Sequence, residues 1–361
     1  MNQLRTTGTV KIVGAGLLGT SIGLALRQAG ADVVLADQSK ASVALAVDYG
    51  AGRAATANDE PALIVVCVPP DQVAEMVERE LAASPRAIVT DVASVKGEIL
   101  ESLRAAGVPL QNYVGSHPMA GRERGGAISG RADLFFTMPW VLAIHEGANP
   151  AAVAAVEALA LDLGATPIRT TPEAHDRAVA LVSHVPQLVS SLLAGRLVGA
   201  EASDLALAGA GLRDTTRIAA SDPKLWLQIF AANSGEVASI LKKLSRDLVE
   251  AVSALDNLDA PGSLAKLGEL MAAGNAGVAA IPGKHGARNA SYSQLIVLID
   301  DKPGELARLL TEIGEIGINL EDLKLEHSPG AQIGLVELYV LPKVEVALAE
   351  ALVARGWRLA G

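Results

Sequence analysis

Six histidines punctuate the chain, at positions 117, 145, 175, 184, 285 and 327. His117 lies in Gly115-Ser116-His117-Pro118-Met119-Ala120-Gly121, directly after an apolar run that reads as a strand. A neutral imidazole there can accept a hydroxyl proton as hydride leaves the same carbon. A histidine that only caps the strand end also fits this spacing. Asp91-Val92-Ala93-Ser94-Val95-Lys96-Gly97 closes a neighbouring strand. Ser94 can hydrogen-bond a substrate hydroxyl and orient His117, and Lys96 can help neutralise an anion. A helix N-cap is an equally good reading of Ser94. Gly209 to Arg217 carries two arginines, Arg213 and Arg217, among small residues, with Asp214 between them. A guanidinium is the natural bidentate partner of a carboxylate, although either arginine also suits a structural ion pair. His184 and Gln187 lie three apart on one helical face and can reach one cleft. His175 and Asp176 sit near the start of the same helix. None of these spacings resembles a metal site, and no metal is expected.

A second constellation is Gly14-Ala15-Gly16-Leu17-Leu18-Gly19, which follows a strand and opens a helix inside a βαβ pattern. In that context the glycines have separate tasks. Gly14 allows the tight turn, Gly16 lets backbone approach a pyrophosphate, and Gly19 lets helix and strand pack closely. The helix N-terminus, including the N–H groups of Leu17 and Leu18, offers partial positive charge to phosphates. Asp37 ends the second strand, 18 residues past Gly19. Its carboxylate suits a ribose 2′-hydroxyl and repels a 2′-phosphate, so NAD is expected over NADP. Arg27 and Lys40 are the nearby cations that would soften that preference. Val68 and Pro69, at the end of the third apolar strand, complete the expected dinucleotide site.

These residues need a scaffold. Residues 8–71 alternate strands that are apolar on both faces with helical stretches, and further strands follow at 87–94 and 112–118. That pattern predicts a parallel sheet covered on both sides. PWVLAI (139–144) and TPIRT (166–170) read as further units of it. From Pro172 to about Leu270 the pattern is almost wholly helical. Residues 173–198 read as one long helix. Another is expected to start at Ser221 and Pro223 as N-cap and first-turn proline and then run long. Gly274 to Asn289 reads as a Gly-rich basic connector containing IPGKHG, with Lys284 and His285 expected to couple the two halves at the active-site cleft. The remainder reads strand, helix, strand, strand, helix, strand, a βαββαβ unit. The expected domains are 1–171, 172–284 and 290–361.

Composition narrows the partners. The chain has 361 residues, 30 basic against 40 acidic, with a net charge of −10. Nucleic acid or an anionic membrane surface is therefore not expected as the main partner. No uninterrupted apolar stretch reaches the ~18 residues of a membrane span. The polar Met1–Gly8 segment does not read as a signal peptide, and a cytoplasmic protein is expected. The single cysteine, Cys67, allows no disulfide within the chain and reads as a small core residue. Long apolar helices suggest pairing with a second copy, a homodimer.

GAGLLGTSIGLAL, TDVASVKG, GSHPMAG, HDRAVALVSHVPQ, GLRDTTRIAASDPKLW and the C-terminal unit resemble, in order and over nearly the whole length, the prephenate/arogenate dehydrogenase family of tyrosine biosynthesis. The resemblance implies a Rossmann-type α/β domain, an all-helical dimerisation domain and a C-terminal α+β, ferredoxin-like ACT domain. It implies NAD-dependent oxidative decarboxylation, in which hydride leaves ring C4, the C4 hydroxyl becomes the phenol and the ring carboxylate departs as CO₂. His117 would accept the hydroxyl proton, Ser94 would bond the same hydroxyl and the histidine, and Arg217 would hold a substrate carboxylate. His184, His175 and Trp226 would build the pocket, with Asp214 orienting Arg217. Many members carry histidine where this chain has Gln187, which can hydrogen-bond a keto or carboxylate oxygen but carries no charge. Prephenate is therefore expected over arogenate. The ACT resemblance places an amino-acid effector, tyrosine first, at Asp301, Pro303, Gly304 and Asn319; a purely dimerising module remains the alternative. A β-hydroxyacid dehydrogenase would place a Lys one turn before an Asn on the first long helix, a pair that HDRAVALVSHVPQ lacks. A nonenzymatic nucleotide sensor would not need His117 and Arg217.

Overall fold

The computed structural model describes residues 4–121, 125–282, 292–326 and 333–360. They fall into two compact units, Met1–Gly199 with Thr216–Lys243, and Ala200–Thr215 with Leu244–Gly361. Lys284, His285 and His327 lie outside the described residues.

The first unit is built on an eight-stranded sheet in the order β3-β2-β1-β4-β5-β6-β7-β8. Its strands are β1 (Thr9–Val13), β2 (Val33–Ala36), β3 (Arg53–Ala54), β4 (Pro61–Val66), β5 (Ile88–Asp91), β6 (Tyr113–Pro118), β7 (Pro139–Ala143) and β8 (Thr166–Thr170). The helices between them are α1 (Leu17–Gln28), α2 (Lys40–Asp48), α3 (Pro70–Ala83), α4 (Gly97–Ala105) and α5 (Pro150–Asp162). Side chains alternate along each strand, so each face of the sheet builds its own core. Val10, Ile12, Leu63 and Val65 pack with Ile22 and Leu26 of α1 and Val156 and Leu159 of α5. Ile64, Val66 and Val89 pack with Val73 and Val77 of α3 and Ile99 and Leu103 of α4. This is the doubly wound Rossmann arrangement expected from the sequence.

Two strands, β7 and β8, depart from that expectation. β7 runs antiparallel to β6, and β8 is parallel to β7. A parallel pair needs a long crossover that returns across a sheet face, usually a helix. Among the described residues between β6 and β7 the only helical element is the short 3-10 turn Ala127–Ser129.

The helix predicted over 173–198 is interrupted. It comprises α6 (Pro172–Val179), a π turn (Ala180–His184) and α7 (Val185–Gly195). Pro186 has no N–H to return to the preceding turn, and the helix takes a wider turn before it. By length and composition Pro172–Gly195 could cross a membrane. Its buried His175, Asp176, His184 and Gln187 mark it instead as a helix with a polar inner face. After α8 (Ala202–Leu205) and α9 (Ala210–Thr216) come a 3-10 turn (Arg217–Ala219) and α10 (Pro223–Ala232). The cap of α10 is Asp222, which accepts from Lys224 N–H at 2.9 Å, and not Ser221. The run predicted beyond α10 breaks at Asn233, then resumes as α11 (Ser234–Asp256), which extends through both units. α12 (Ser263–Ala280) continues through Gly274, so the connector begins later than its glycines suggest.

The second unit contains a four-stranded antiparallel sheet in the order β10-β11-β9-β12. Its elements are β9 (Ser293–Asp300), α13 (Glu305–Ile316), β10 (Asp322–Glu326), β11 (Ile333–Val340), α14 (Pro342–Ala354) and β12 (Arg358–Ala360). Val297, Ile299, Val336 and Leu338 on one sheet face pack against Leu309 and Ile313 of α13 and Leu348 and Leu352 of α14.

Candidate active site

β1, β4, β5 and β6 are adjacent and parallel, so their carboxyl ends line one edge of the sheet. Ligands of open α/β sheets bind at that edge. Four sequence signals fall there: the glycine turn after β1, Val68 and Pro69 after β4, Ser94 after β5, and His117 near the end of β6.

The glycine turn has the geometry for a dinucleotide. Gly14 has φ +107°, and a Cβ on it would come within 2.4 Å of Cys67 O. A Cβ on Gly19 would sit 1.9 Å from Gly14 O, so helix and strand touch through their backbones. A Cβ on Gly16, by contrast, would meet nothing within 4 Å, which leaves open space at the start of α1. Gly16 caps α1 with no side-chain hydrogen bond and no acidic residue in the first turn, so the terminal N–H groups stay available. Asp37 accepts from Ala15 N–H at 2.7 Å and from Ser39 N–H at 2.8 Å, tying the turn to the end of β2. These residues fit a dinucleotide. Burial pushes the Cys67 thiol up, with the Asp91 carboxylate adding to the effect, which matches an inert packing residue.

Beneath the reacting edge lies a buried ion pair. Asp91 is fully enclosed and accepts from Lys96 Nζ, Tyr113 Oη (2.8 Å) and Ala93 N–H (2.8 Å). Lys96 Nζ also donates to Ser116 O at 2.9 Å. Burial pulls the Lys96 ammonium down and Asp91 opposes that. The expectation that Lys96 meets a substrate anion directly is therefore corrected. Its side chain is 1% exposed, and Asp91 holds it under the strand.

Above this pair runs a chain of polar groups. His117 Nδ1 lies 2.9 Å from His175 Nε2, and His175 Nδ1 lies 2.7 Å from Asp176 Oδ1. Asp176 also accepts from the N–H groups of Lys96 (2.9 Å) and Gly97 (2.8 Å) at the start of α4. Burial opposes its charge, but the His175 hydrogen bond and the two N–H groups together hold its carboxyl below the usual range. Asn233 Nδ2 donates to Asp176 O at 2.8 Å and lies 3.2 Å from His184 Nδ1. His184 meets Trp226 edge to face at 6.0 Å, and Trp226 packs on Phe230. Burial lowers His184 to about 4, with Asp176 opposing and His175 reinforcing. Burial also lowers His117 well below the usual imidazole range, reinforced by His175, Lys96 and His184.

The orienting partner of His117 in this structure is thus His175, where Ser94 was expected; Ser94 sits half-buried in the loop after β5. Gln187 is buried, with Oε1 accepting from Ser221 Oγ at 3.4 Å. Arg217 opens its 3-10 turn against α7, exposed and without an ion pair among the described residues. Arg213 and Asp214 are exposed on α9, and Asp214 also makes no ion pair among the described residues. Asp301, Pro303 and Gly304 form the exposed loop from β9 into α13, and Asn319 is exposed between α13 and β10. Among the described residues, no cluster of three His, Cys, Asp or Glu is placed to hold a metal ion.

Two family models match adjoining stretches of the chain. Residues 22–169 match the prephenate dehydrogenase nucleotide-binding domain, and 171–272 match the prephenate dehydrogenase dimerization domain. The chain belongs to the prephenate dehydrogenase family. It is 35% identical over 356 residues to the probable prephenate dehydrogenase NovF of Streptomyces niveus, covering 97% of this chain and 98% of the relative. The structure of Aquifex aeolicus prephenate dehydrogenase in complex with hydroxyphenyl propionate and NAD+ superposes with a TM-score of 0.66 at 26% identity, covering 74% of this chain and 96% of the other. Synechocystis arogenate dehydrogenase gives 0.62 at 28% identity, covering 74% and 99%. Within the family's two matched domains lie all the site residues described above except Gly14, Gly16, Leu17, Leu18 and Gly19, which precede residue 22, and the four positions after residue 300.

Sequence reading missed Asn233 and the role of Asp91. Asn233 had a signal: Asn-Ser-Gly interrupts two apolar helical runs, which marks a break. Asp91 had none, because a strand-end carboxylate reads as solvated until a lysine is seen to reach it.

Proposed function

We propose that this chain catalyses the NAD-dependent oxidative decarboxylation of prephenate to 4-hydroxyphenylpyruvate in tyrosine biosynthesis. The observation that carries the reading is His117, backed by His175 and Asp176, at the same sheet edge as the open glycine turn. Gly14, Gly16, Leu17, Leu18, Gly19, Asp37, Val68 and Pro69 would hold NAD. When bound, the nicotinamide supplies the hydride acceptor. His117 stays neutral at neutral pH and takes the proton of the substrate C4 hydroxyl. Ser94 bonds that same hydroxyl, and Arg217, with Arg213 nearby in sequence, holds a carboxylate. His184, Trp226 and Gln187 shape the pocket around the side chain. Enclosure raises the worth of the dipoles of the buried His184 and Gln187.

Prephenate is favoured over arogenate for a local reason. Gln187 is uncharged, and the carboxylate of Asp176 is already taken by three N–H donors. Among the described residues, neither Gln187 nor Asp176 offers a substrate ammonium a free carboxylate. A spectrophotometric NADH assay with prephenate and arogenate side by side tests the reading; turnover of arogenate alone, or of neither, refutes it.

The exposed apolar side chains Leu248, Val249, Val252 and Leu255 on α11, within the family's dimerization domain, support a homodimer. The βαββαβ order of residues 293–360 supports an ACT-like module that binds tyrosine near Asp301, Pro303, Gly304 and Asn319. Gly304, at φ +92°, turns the chain into α13 and presents backbone groups there. The same NADH assay with added tyrosine reads this out as inhibition. A cytoplasmic location accords with this biosynthetic role.

A further inference from the structure

We infer that Asp176 is a positioning residue that fixes opposite tautomers of two histidines, leaving Nε2 of His117 as a lone-pair acceptor and Nε2 of His184 as an N–H donor. The deduction runs outward from the carboxylate. Three N–H groups converge on Asp176, from Lys96, Gly97 and His175, so it only accepts. His175 must therefore carry a proton on Nδ1. In a neutral ring that leaves Nε2 of His175 bare, and it faces His117 Nδ1 at 2.9 Å. Two bare nitrogens do not bond, so His117 donates from Nδ1 and its free base is Nε2.

The second branch starts from the backbone of the same residue. Asp176 O can only accept, so the side-chain atom of Asn233 that meets it is the amide nitrogen. That nitrogen also faces His184 Nδ1, which must accept. The proton of neutral His184 then sits on Nε2. One residue thus equips the pocket with a base and a donor of the same side-chain type. The kinetic part of this inference rests on the function proposed above, because it takes His117 as the proton acceptor.

The charged and titratable groups around His117 are His175 and Asp176 from α6, His184 from the π turn, and Lys96 with Asp91 from the β5–α4 segment. The test labels the full chain with [15N]histidine at neutral pH, because protonated and bare ring nitrogens resonate far apart. Signals are assigned from His117→Asn and His184→Gln. The expected spectrum has the proton on Nδ1 of His117 and on Nε2 of His184. The reverse pattern at either ring overturns the inference. His175→Leu removes the acceptor, so the His117 signature should become a tautomer mixture and kcat should fall ~10²-fold with dinucleotide affinity retained. His175→Gln, whose Oε1 can accept from His117 Nδ1, should recover most of kcat. A Leu variant with unchanged signature and kcat also overturns it. If the expected spectrum is found but prephenate is not oxidised, the proposed substrate fails and the tautomer assignment stands.

Discussion

His117 and His175 meet ring edge to ring face, with Nδ1 and Nε2 2.9 Å apart and the ring centroids 5.1 Å apart. Burial works against a proton arriving on His117, and the neighbouring His175, Lys96 and His184 add to that. Together they leave His117 neutral well below the usual imidazole range. The acid limb of kcat/KM should therefore lie below pH 6.5. Above its pKa the base is free and the rate is flat; below it, protonation removes the acceptor and the rate falls about tenfold per pH unit. A limb centred at or above 6.5 in a pH–rate profile would contradict the assignment.

Replacing the base separates chemistry from binding. His117→Asn should lower kcat by ~10²–10⁴-fold and leave the NAD dissociation constant, measured by calorimetry, within about twofold. Arg217→Gln should act on the other quantity, raising KM for prephenate. Loss of a charge-assisted pair worth about 1.5–3 kcal/mol corresponds to a ~10–150-fold loss in kcat/KM.

The glycine turn offers a contrast between two neighbours. Gly16→Val fills the open space above α1 and should weaken NAD at least ~10-fold with little change in melting temperature. Gly19→Ala drives a Cβ into Gly14 O and should cost about 1–3 kcal/mol of stability in urea unfolding.

The buried pair predicts a stability effect where the sequence suggested a binding one. Lys96→Met strands the enclosed Asp91 charge and should cost about 3–5 kcal/mol in chemical denaturation. Adding Asp91→Asn to it should recover part of that loss. A Lys96→Met protein with wild-type stability and a raised substrate KM would restore the anion-binding reading.

Stability should also depend on pH through His184. Its folded value of about 4 lies below the ordinary 6.5. Between those values the unfolded chain binds more protons, so stability falls as pH drops through that window and is fully present above it. The contribution is on the order of 3 kcal/mol for an enclosed imidazole. Melting curves across the window should flatten in His184→Gln.

The legibility of this chain follows the range of the interactions involved. The glycine turn, the alternating strands and the GSHPMAG segment are local patterns, and each appears where the sequence places it. The reversal of β7 was not legible, because strand direction depends on how the chain between Pro118 and Pro139 is routed. Nor was the partner of His117, since His175 lies 58 positions away and reaches it only after α6 docks on α4. The lysine was misread for the same reason: Lys96 and Asp91 are near neighbours in sequence, but only the fold shows that no water reaches them.

The wide turn at Ala180–His184 has a consequence for how the protein tolerates change. It is in effect a regular helix carrying one surplus residue, with Leu181 and Val182 facing outward. Deleting either would let the ladder close at its normal spacing, and because the wide turn already absorbs the surplus residue, the segments on either side would keep their relative phase. His175 and Asp176 would then still share an inner face with His184 and Gln187. A one-codon loss on the outer surface of the wide turn should therefore be tolerated far better than one inside α6 or α7, where it would rotate the two halves against each other by about 100°.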